Sequence, residues 1–237
     1  MRIQLDWFNE KLATRLADLA AGRVTPATPR DAATIMVLRS TPLANGRDMQ
    51  VLMLRRTAAM KFAPGAYVFP GGSVDPADYG AEIGWQGPSA AEFGAWLGAS
   101  AEVARALVCA AVRETFEESG VLLAGPPGDG PLATPSGPSW EADRMAMASG
   151  TLTLAALLSG RGLVLRADRL VPWARWITPD GEPRRFDARF FAAAVASGAG
   201  LADILGERRV IEPVQPRLVL EDGAAWLIIP DGVGYPG

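Results

Sequence analysis

Three glutamates crowd the stretch from Arg113 to Gly120, and their spacing suits the chemistry of a bound metal ion. At about 100° per residue, Glu114, Glu117 and Glu118 share one arc of roughly 100° on a helix. Glu114 repels the other two across one turn, and the C-terminal end of a helix disfavours negative charge. Because Arg113 alone does not neutralise three carboxylates, the pattern favours a hard divalent cation bound against this face.

The composition removes several kinds of catalysis. Histidine is absent from the 237 residues, and Cys109 is the single cysteine. Ser-His-Asp and Cys-His catalysis, His-ligated zinc and an internal disulfide are therefore excluded. Carboxylates, Arg, Lys and Tyr remain as the groups able to do chemistry. Cys109 lies on an apolar helical stretch and is expected to be a small core residue in a reducing compartment.

Charge and hydropathy limit the partners. The formal net charge of −3 gives no overall electrostatic reason for binding a nucleic acid or an anionic membrane. The sequence has no apolar run of roughly eighteen residues, and its N-terminus lacks the order of a secretory signal. We therefore expect a cytoplasmic protein with no nucleic-acid partner and no membrane partner.

The elements that must position the glutamates follow from periodicity. Apolar residues at three- and four-residue steps predict an amphipathic helix over 3–21, followed by a loop over 22–31. The helix that carries the glutamates is predicted over 101–119, with Gly120 as its C-terminal cap. Further short helices are predicted at 139–149 and 151–160. Strands are predicted at 33–39, 50–56, 66–69, 171–177, 186–195, 217–220 and 225–229, and another begins at 121–123.

The segment Phe69-Pro70-Gly71-Gly72, together with the stretch from Arg113 to Gly120, resembles the Nudix hydrolase signature. That signature reads Gly, five residues, Glu, seven residues, Arg-Glu-apolar-any-Glu-Glu-any-Gly-apolar, and residues 113–121 match its second half throughout. The resemblance implies an α/β (α+β) fold in which a mixed β-sheet is sandwiched between helices. It divides the chain into an N-terminal helix with its linker at 1–30 and a Nudix hydrolase domain at 31–237.

The resemblance also implies a reaction and a role for each matching residue. Nudix hydrolases cleave nucleoside diphosphates linked to another moiety, with Mg²⁺ or Mn²⁺ as cofactor. By position, Glu117 and Glu118 are the main metal ligands, and Arg113 orients Glu114. Glu114 is either a further ligand or the carboxylate that helps to deprotonate water, and which carboxylate acts as base stays open. Gly71 lends its backbone carbonyl to the metal, since a Cβ would obstruct a close approach.

A long insertion interrupts the signature. Forty residues separate Gly72 from Arg113, about 27 more than the usual 13, and we assign the insertion to about 73–100. This alignment places Arg105 opposite the leading Glu of the signature and offers Glu102 as a stand-in. The insertion resembles that of one Nudix branch, the coenzyme A and acyl-CoA diphosphatases of peroxisomal type and their bacterial relatives.

Four residues are candidates for substrate binding: Arg55, Lys61, Arg185 and Phe190. Guanidinium groups match phosphate bidentately, and an aromatic ring stacks on adenine. The alternatives are compositional bias for the arginines, since Arg supplies 21 of the 23 basic residues, and a core position for Phe190. After Phe191 the branch continues with a strand and a helix, whereas this chain runs almost directly to 201–209.

The expected function is hydrolysis of a small-molecule substrate that contains a pyrophosphate, with coenzyme A or an acyl-CoA first. The alternatives are a diphosphatase for ADP-ribose, NADH or a nucleotide sugar, and a non-catalytic Nudix-fold module that binds a ligand. Trp85, Phe93 and Trp96 of the insertion either line an acyl-chain pocket or anchor the insertion. The N-terminal helix either forms a homodimer or docks on its own domain.

Overall fold

The computed structural model describes residues 2–4, 10–43, 46–58, 64–80, 82–195, 213–214, 217–221 and 224–228. The helices are α1 (Glu10–Ala20), α2 (Pro76–Tyr79), α3 (Ala90–Leu97), α4 (Ala101–Ser119), α5 (Pro138–Ala148) and α6 (Leu154–Gly160). The strands are β1 (Arg2–Gln4), β2 (Arg30–Leu43), β3 (Gly46–Val51), β4 (Leu54–Arg55), β5 (Tyr67–Val68), β6 (Gly71–Ser73), β7 (Trp85–Gln86), β8 (Ala124–Gly125), β9 (Val164–Arg166), β10 (Leu170–Ile177), β11 (Phe186–Ala194), β12 (Pro213–Val214), β13 (Arg217–Glu221) and β14 (Ala224–Ile228).

A mixed sheet forms the centre of the fold. Its strands run in the order β12-β10-β11-β2-β3, and β6 also pairs with β2. Since β11 runs parallel to β2 along one edge, β3 and β6 share the opposite edge of β2. Three smaller sheets, β1-β14-β13, β4-β5 and β7-β9-β8, surround it. The predicted α/β class with a mixed sheet is confirmed.

Helix α4 packs against β2 and β6, and its middle is apolar on every side. All residues from 106 to 112 are buried, and a helix of this kind is stable only inside a core. The Ser100 side chain caps its N-terminus. Gly120 ends it in the left-handed conformation, with its N–H donating to Phe116 O at 2.8 Å. The helix predicted over 101–119 is therefore confirmed at both ends.

The segment between β6 and α4 folds as α2, β7 and α3. Phe93 is fully buried, and its ring contacts Trp96 and Trp85 edge-on at centroid distances of 5.2 and 6.2 Å. The same ring meets Phe191 of β11 at 6.4 Å. These contacts tie the segment to the core of the domain, which supports the anchoring interpretation of its aromatic residues.

The predicted start of the N-terminal helix was wrong. Helix α1 begins at Glu10, and Arg2–Gln4 is a strand that pairs with β14. The partner strand lies more than two hundred residues away, so local periodicity carries no sign of it. The part of the prediction that covers residues 5–9 lies outside the described residues.

Four predicted strands also have other bounds in the structure, and the strand expected over 33–39 is extended at both ends to β2, Arg30–Leu43. The strand expected over 50–56 is divided between β3 and β4, and 121–123 is irregular, with β8 starting at Ala124. The strand expected over 66–69 is β5, and Gly71–Ser73 then forms the separate strand β6. Glycine has a low strand propensity, which hides β6 in the sequence. The pairing depends on glycine, since a Cβ on Gly71 would lie 2.5 Å from Ala33 O.

The later elements match their predictions within a few residues. These are α5, α6, β10, β11, β13 and β14. The stretch 201–209 lies outside the described residues. Among the described helices, none alone is long and apolar enough to cross a membrane; α3 and α4, which meet at 93°, satisfy length and composition only as a pair.

Candidate active site

The last two turns of α4 meet β6, which joins segments that are distant in the sequence. The N–H of Gly71 donates to Glu118 Oε2 at 3.0 Å. Gly72 lies against the carboxylate of Glu114 so closely that a Cβ at this position would overlap it. Because Gly71 pairs with Thr34 of β2, the central sheet fixes the surface on which the glutamates rest.

Arg113 connects four neighbours through its guanidinium. Its Nη1 donates to Glu114 Oε1 at 2.9 Å and to Glu117 Oε1 at 3.4 Å. Its Nη2 donates to Ser73 O and to Asp78 Oδ2, both at 3.0 Å, and its Nε donates to Asp78 Oδ1 at 3.1 Å. Burial disfavours the charged guanidinium, but these carboxylates, Asp78 first, raise the pKa of Arg113 above its ordinary value. Arg113 therefore stays charged and holds Glu114 and Glu117 from one side.

Burial raises the pKa of Glu117 and of Glu118 above the usual glutamate value. The negative charge of Glu114 raises both further. Arg113 lowers the pKa of Glu117, and the N–H of Gly71 lowers that of Glu118, but neither effect outweighs burial and repulsion. Ionising these carboxylates therefore costs more than ionising an ordinary glutamate, and a bound cation would offset that cost.

Comparison with solved structures decides the family. No protein-family model matches the chain. The crystal structure of a NUDIX hydrolase from Alicyclobacillus acidocaldarius is 33% identical with a TM-score of 0.53, and the match covers 85% of this chain and 79% of that one. The chain belongs to the Nudix hydrolase family.

The curated relatives include acyl-coenzyme A diphosphatases, whose names state a substrate. The acyl-coenzyme A diphosphatase NUDT19 of Gallus gallus is 28% identical over 207 residues, which cover 68% of this chain and 54% of that protein. The acyl-coenzyme A diphosphatase NUDT19 of Homo sapiens is 33% identical over 190 residues, which cover 63% of this chain and 48% of that protein. The chain thus spans about half the length of these curated relatives.

Asp78 stands at the spacing of the leading Glu of the Nudix signature, and sequence reasoning missed it. It follows Gly72 with five residues between them, which is the spacing of the leading Glu in the signature. Its side chain is almost fully buried against Arg113. It also closes the capping box of α2, where the N–H of Asp75 donates to Asp78 Oδ2 at 2.8 Å. Counting forward from Gly72 and accepting Asp in place of Glu would have found it.

The contact between Asp78 and Arg113 corrects the earlier alignment of the box. Glu102, the proposed stand-in, is exposed in the first turn of α4. Arg105, aligned with the leading Glu, places its guanidinium 5.5 Å from the centre of the Trp85 ring. The insertion bounds of about 73–100 stay a prediction, and the position of Asp78 argues that the extra residues begin after it.

The donor set fits a hard divalent cation by its chemistry. Arg113 is shared among Asp78, Glu114 and Glu117, so its single positive charge does not balance the three glutamates at the end of α4. Hard cations prefer carboxylate oxygens as ligands. Within the described ranges, no three Asp, Glu, Cys or His side chains are grouped closely enough to hold an ion. The carboxylates hydrogen-bond to Arg113 or to Gly71 instead. Holding a cation therefore requires at least one side chain to leave its present partner. The role of the Gly71 carbonyl stays a prediction.

Arg185, predicted to bind substrate phosphate, is engaged by the protein itself. Its side chain is 5% exposed. It donates to Ala27 O at 2.7 Å and to Thr178 O at 2.9 Å, and it pairs with Asp180. The guanidinium ties the segment before β2 to the end of β10, so its position favours a structural role over the predicted one.

Two of the other predicted substrate residues lie on different strands, and the third is not described. Arg55 is exposed on β4, Phe190 is half-buried on β11, and Lys61 lies outside the described residues. The neighbouring Arg56 is the arginine whose charge reaches the carboxylates, because it lowers the pKa of Glu118 against the effect of burial. Arg56 directly follows β4, and because side chains alternate along extended backbone, the sequence does not tell which of the two arginines faces the site.

Replacing Gly72 by alanine is expected to lower activity without unfolding the protein. The three atoms nearest to the new Cβ would all belong to the carboxyl group of Glu114, the flexible end of that side chain, which would have to move. A displacement of about 1 Å at such a group can reduce turnover roughly a hundredfold. The measurement is kcat together with the midpoint of thermal unfolding.

The matched control is Gly71→Ala. Its Cβ would lie 2.5 Å from Ala33 O and 2.8 Å from the Cα of Thr34, so backbone must shift and stability should fall by about 1–3 kcal/mol. Full activity of Gly72→Ala, or equal destabilisation by both changes, would contradict the prediction.

Proposed function

We propose that this Nudix hydrolase is a divalent-metal-dependent diphosphatase that cleaves a nucleoside diphosphate linked to another moiety, with coenzyme A or an acyl-CoA as first substrate. The observation that carries the proposal is the group of three glutamates held by Arg113 and Gly71 at the end of α4. The acyl-coenzyme A diphosphatases among the similar proteins support the choice of substrate.

The proposed reaction is hydrolysis of a P–O–P linkage. Water attacks one phosphorus, the bond from that phosphorus to the bridging oxygen breaks, and the second phosphate leaves with the bridging oxygen. Coenzyme A would give 3′,5′-ADP and phosphopantetheine. Mg²⁺ or Mn²⁺, when bound, neutralises pyrophosphate oxygens and lowers the pKa of water.

The protein's own residues contribute position and proton transfer. Glu117 and Glu118 would hold the cation, and Glu114 would either join them or accept the proton of the attacking water. Arg113 keeps Glu114 and Glu117 in place through the hydrogen bonds that it donates. The backbone of Gly72 packs against the Glu114 carboxylate and limits where that carboxylate can lie.

A substrate panel tests the proposal. Coenzyme A, acetyl-CoA, ADP-ribose, NADH and UDP-glucose are each incubated with the full chain and excess Mg²⁺ or Mn²⁺, and with EDTA as the metal-free control. Cleavage products are separated by chromatography. The expected result is the highest kcat/KM on coenzyme A or acetyl-CoA, with no turnover in EDTA.

Two outcomes would replace the proposal by one of its alternatives. A preference for ADP-ribose, NADH or UDP-glucose would keep the diphosphatase and change its substrate. Calorimetric binding of coenzyme A without turnover in either metal would instead indicate a non-catalytic binding module.

A further inference from the structure

A cleft of about 530 Å³ opens directly beside the end of α4. Its walls are residues 119–122, which follow Glu118 in the chain, the loop 131–135, Arg169 and Val195. The volume lies within the range of small-molecule sites, roughly 300–1,000 Å³. We call this space the Arg169 cleft. One wall begins at Ser119, the last residue of α4, so the cleft lies at the same end of this helix as the glutamates of the candidate active site.

The walls of the Arg169 cleft combine apolar surface with one positive charge. Val121, Leu122, Leu132 and Val195 supply apolar side chains, and Arg169 is the single charged residue among the described residues that line it. None of the described lining residues is aromatic, so the walls that they form offer no ring on which adenine would stack. They suit a flexible chain of methylene and amide groups that carries one anionic group.

Arg169 retains capacity to bind an anion. Its Nε is buried without a hydrogen-bond partner, although Asp168 Oδ2 lies 3.5 Å away. Both oxygens of Asp168 already accept hydrogen bonds from Arg166, at 2.8 and 2.7 Å. The Arg169 side chain is 29% exposed and lines the cleft, so its guanidinium is open to a ligand there, and guanidinium groups bind phosphate bidentately.

We propose that the Arg169 cleft binds the phosphopantetheine half of the substrate, with Arg169 on the phosphate of that half and the apolar walls around the pantetheine chain. This inference rests on the proposed function for the choice of substrate. It assigns the nucleotide half to another part of the molecule, and it makes Arg169 a residue that determines affinity for this half.

Direct binding tests the cleft independently of turnover. Phosphopantetheine is titrated calorimetrically into the full chain and into Arg169→Ala, Arg169→Lys and Thr134→Trp. Removing a charge-assisted hydrogen bond should weaken binding roughly tenfold or more, and lysine should restore part of it. Thr134 is an exposed residue of the cleft wall, so tryptophan there should block the cleft without disturbing the core. Arg23→Ala, an exposed arginine on the segment after α1, should bind as the parent does.

Kinetics with coenzyme A, dephospho-CoA and ADP-ribose then show whether Arg169 binds the pantetheine phosphate or the 3′-phosphate. Dephospho-CoA lacks the 3′-phosphate but keeps the pantetheine phosphate, and ADP-ribose lacks the pantetheine chain. Arg169→Ala should raise KM equally for coenzyme A and dephospho-CoA, and Thr134→Trp should raise KM for both while sparing ADP-ribose. A loss confined to coenzyme A would show that Arg169 binds the 3′-phosphate, which would overturn the assignment.

The two proposals fail in different ways. If the chain cleaves coenzyme A but Arg169→Ala and Thr134→Trp bind phosphopantetheine as the parent does, the cleft assignment is wrong and the proposed function stands. If the chain cleaves none of the substrates but phosphopantetheine binds and Arg169→Ala weakens it, the proposed function is wrong and the cleft assignment stands.

Discussion

Glu117→Gln and Glu118→Gln should each lower kcat by roughly a hundredfold or more while the protein stays folded. Both changes remove a carboxylate that the proposed reaction needs and keep nearly the same shape. The measurement is turnover of coenzyme A at saturating Mn²⁺, with circular dichroism to verify folding. Full activity in either variant would refute the assignment of the active site.

The same variants should be at least as stable as the parent at pH 7.5 in the absence of metal. Burial raises the pKa of both glutamates, so the native state binds these protons more tightly than the unfolded chain does. The free energy of unfolding therefore falls as the pH rises from the unfolded value, about 4.3, through the raised native value. Glutamine does not titrate and avoids that loss.

Glu102→Gln is the matched control on the same helix. Glu102 is exposed in the first turn of α4, where its charge favours the helix by about 0.3–1 kcal/mol. Its replacement should leave turnover unchanged and lower stability slightly. The opposite pattern, with Glu102 needed for turnover, would restore it as the leading acid of the Nudix box.

Asp78→Ala should reduce the free energy of unfolding by about 3–5 kcal/mol. Asp78 and Arg113 form an ion pair whose side chains are only 3% and 13% exposed, so the change leaves a largely buried guanidinium without its main partner. Activity should fall as well, because Arg113 also holds Glu114 and Glu117. Urea denaturation and turnover measure the two effects.

Two further variants separate charge from position. The double change Asp78→Ala with Arg113→Met should recover much of the stability, since an apolar pair can replace a buried ion pair, but it should stay inactive. Asp18→Ala breaks an exposed pair with Arg23, whose side chain is 61% exposed, and should cost no more than about 1 kcal/mol. A cost for Asp78→Ala as small as that for Asp18→Ala would mean that the ion pair contributes little.

The sequence predicts the catalytic helix well because its signals are local. Ser100 and Gly120 flank it, and the glutamates sit at helical spacing next to the C-terminal glycine. Strands β10 and β11 are also found from their own composition. In each case the residues that decide the structure lie within one element or at its ends.

Features that depend on distant contacts are not predicted. The strand at Arg2–Gln4 depends on β14, at the far end of the chain. The buried Arg185 donates a hydrogen bond to the carbonyl of Ala27, which is far from it in the sequence. Asp78 combines a local and a distant signal. Its spacing from Gly72 can be read from the sequence, whereas its ion pair with Arg113 is seen only in the fold.

The ion pair between Asp78 and Arg113 closes a loop of 34 residues, where the usual Nudix signature has seven. The entropy of closing a flexible loop grows only with the logarithm of its length, so this difference costs about 1.4 kcal/mol. The burial of Phe93 and its ring contacts stabilises the fold by at least as much as this loop closure costs. Lengthening the chain between the two residues therefore has little effect on stability. Their ion pair, together with the bond from Arg113 to Ser73 O, holds the end of α4 against β6 whatever the length of that loop.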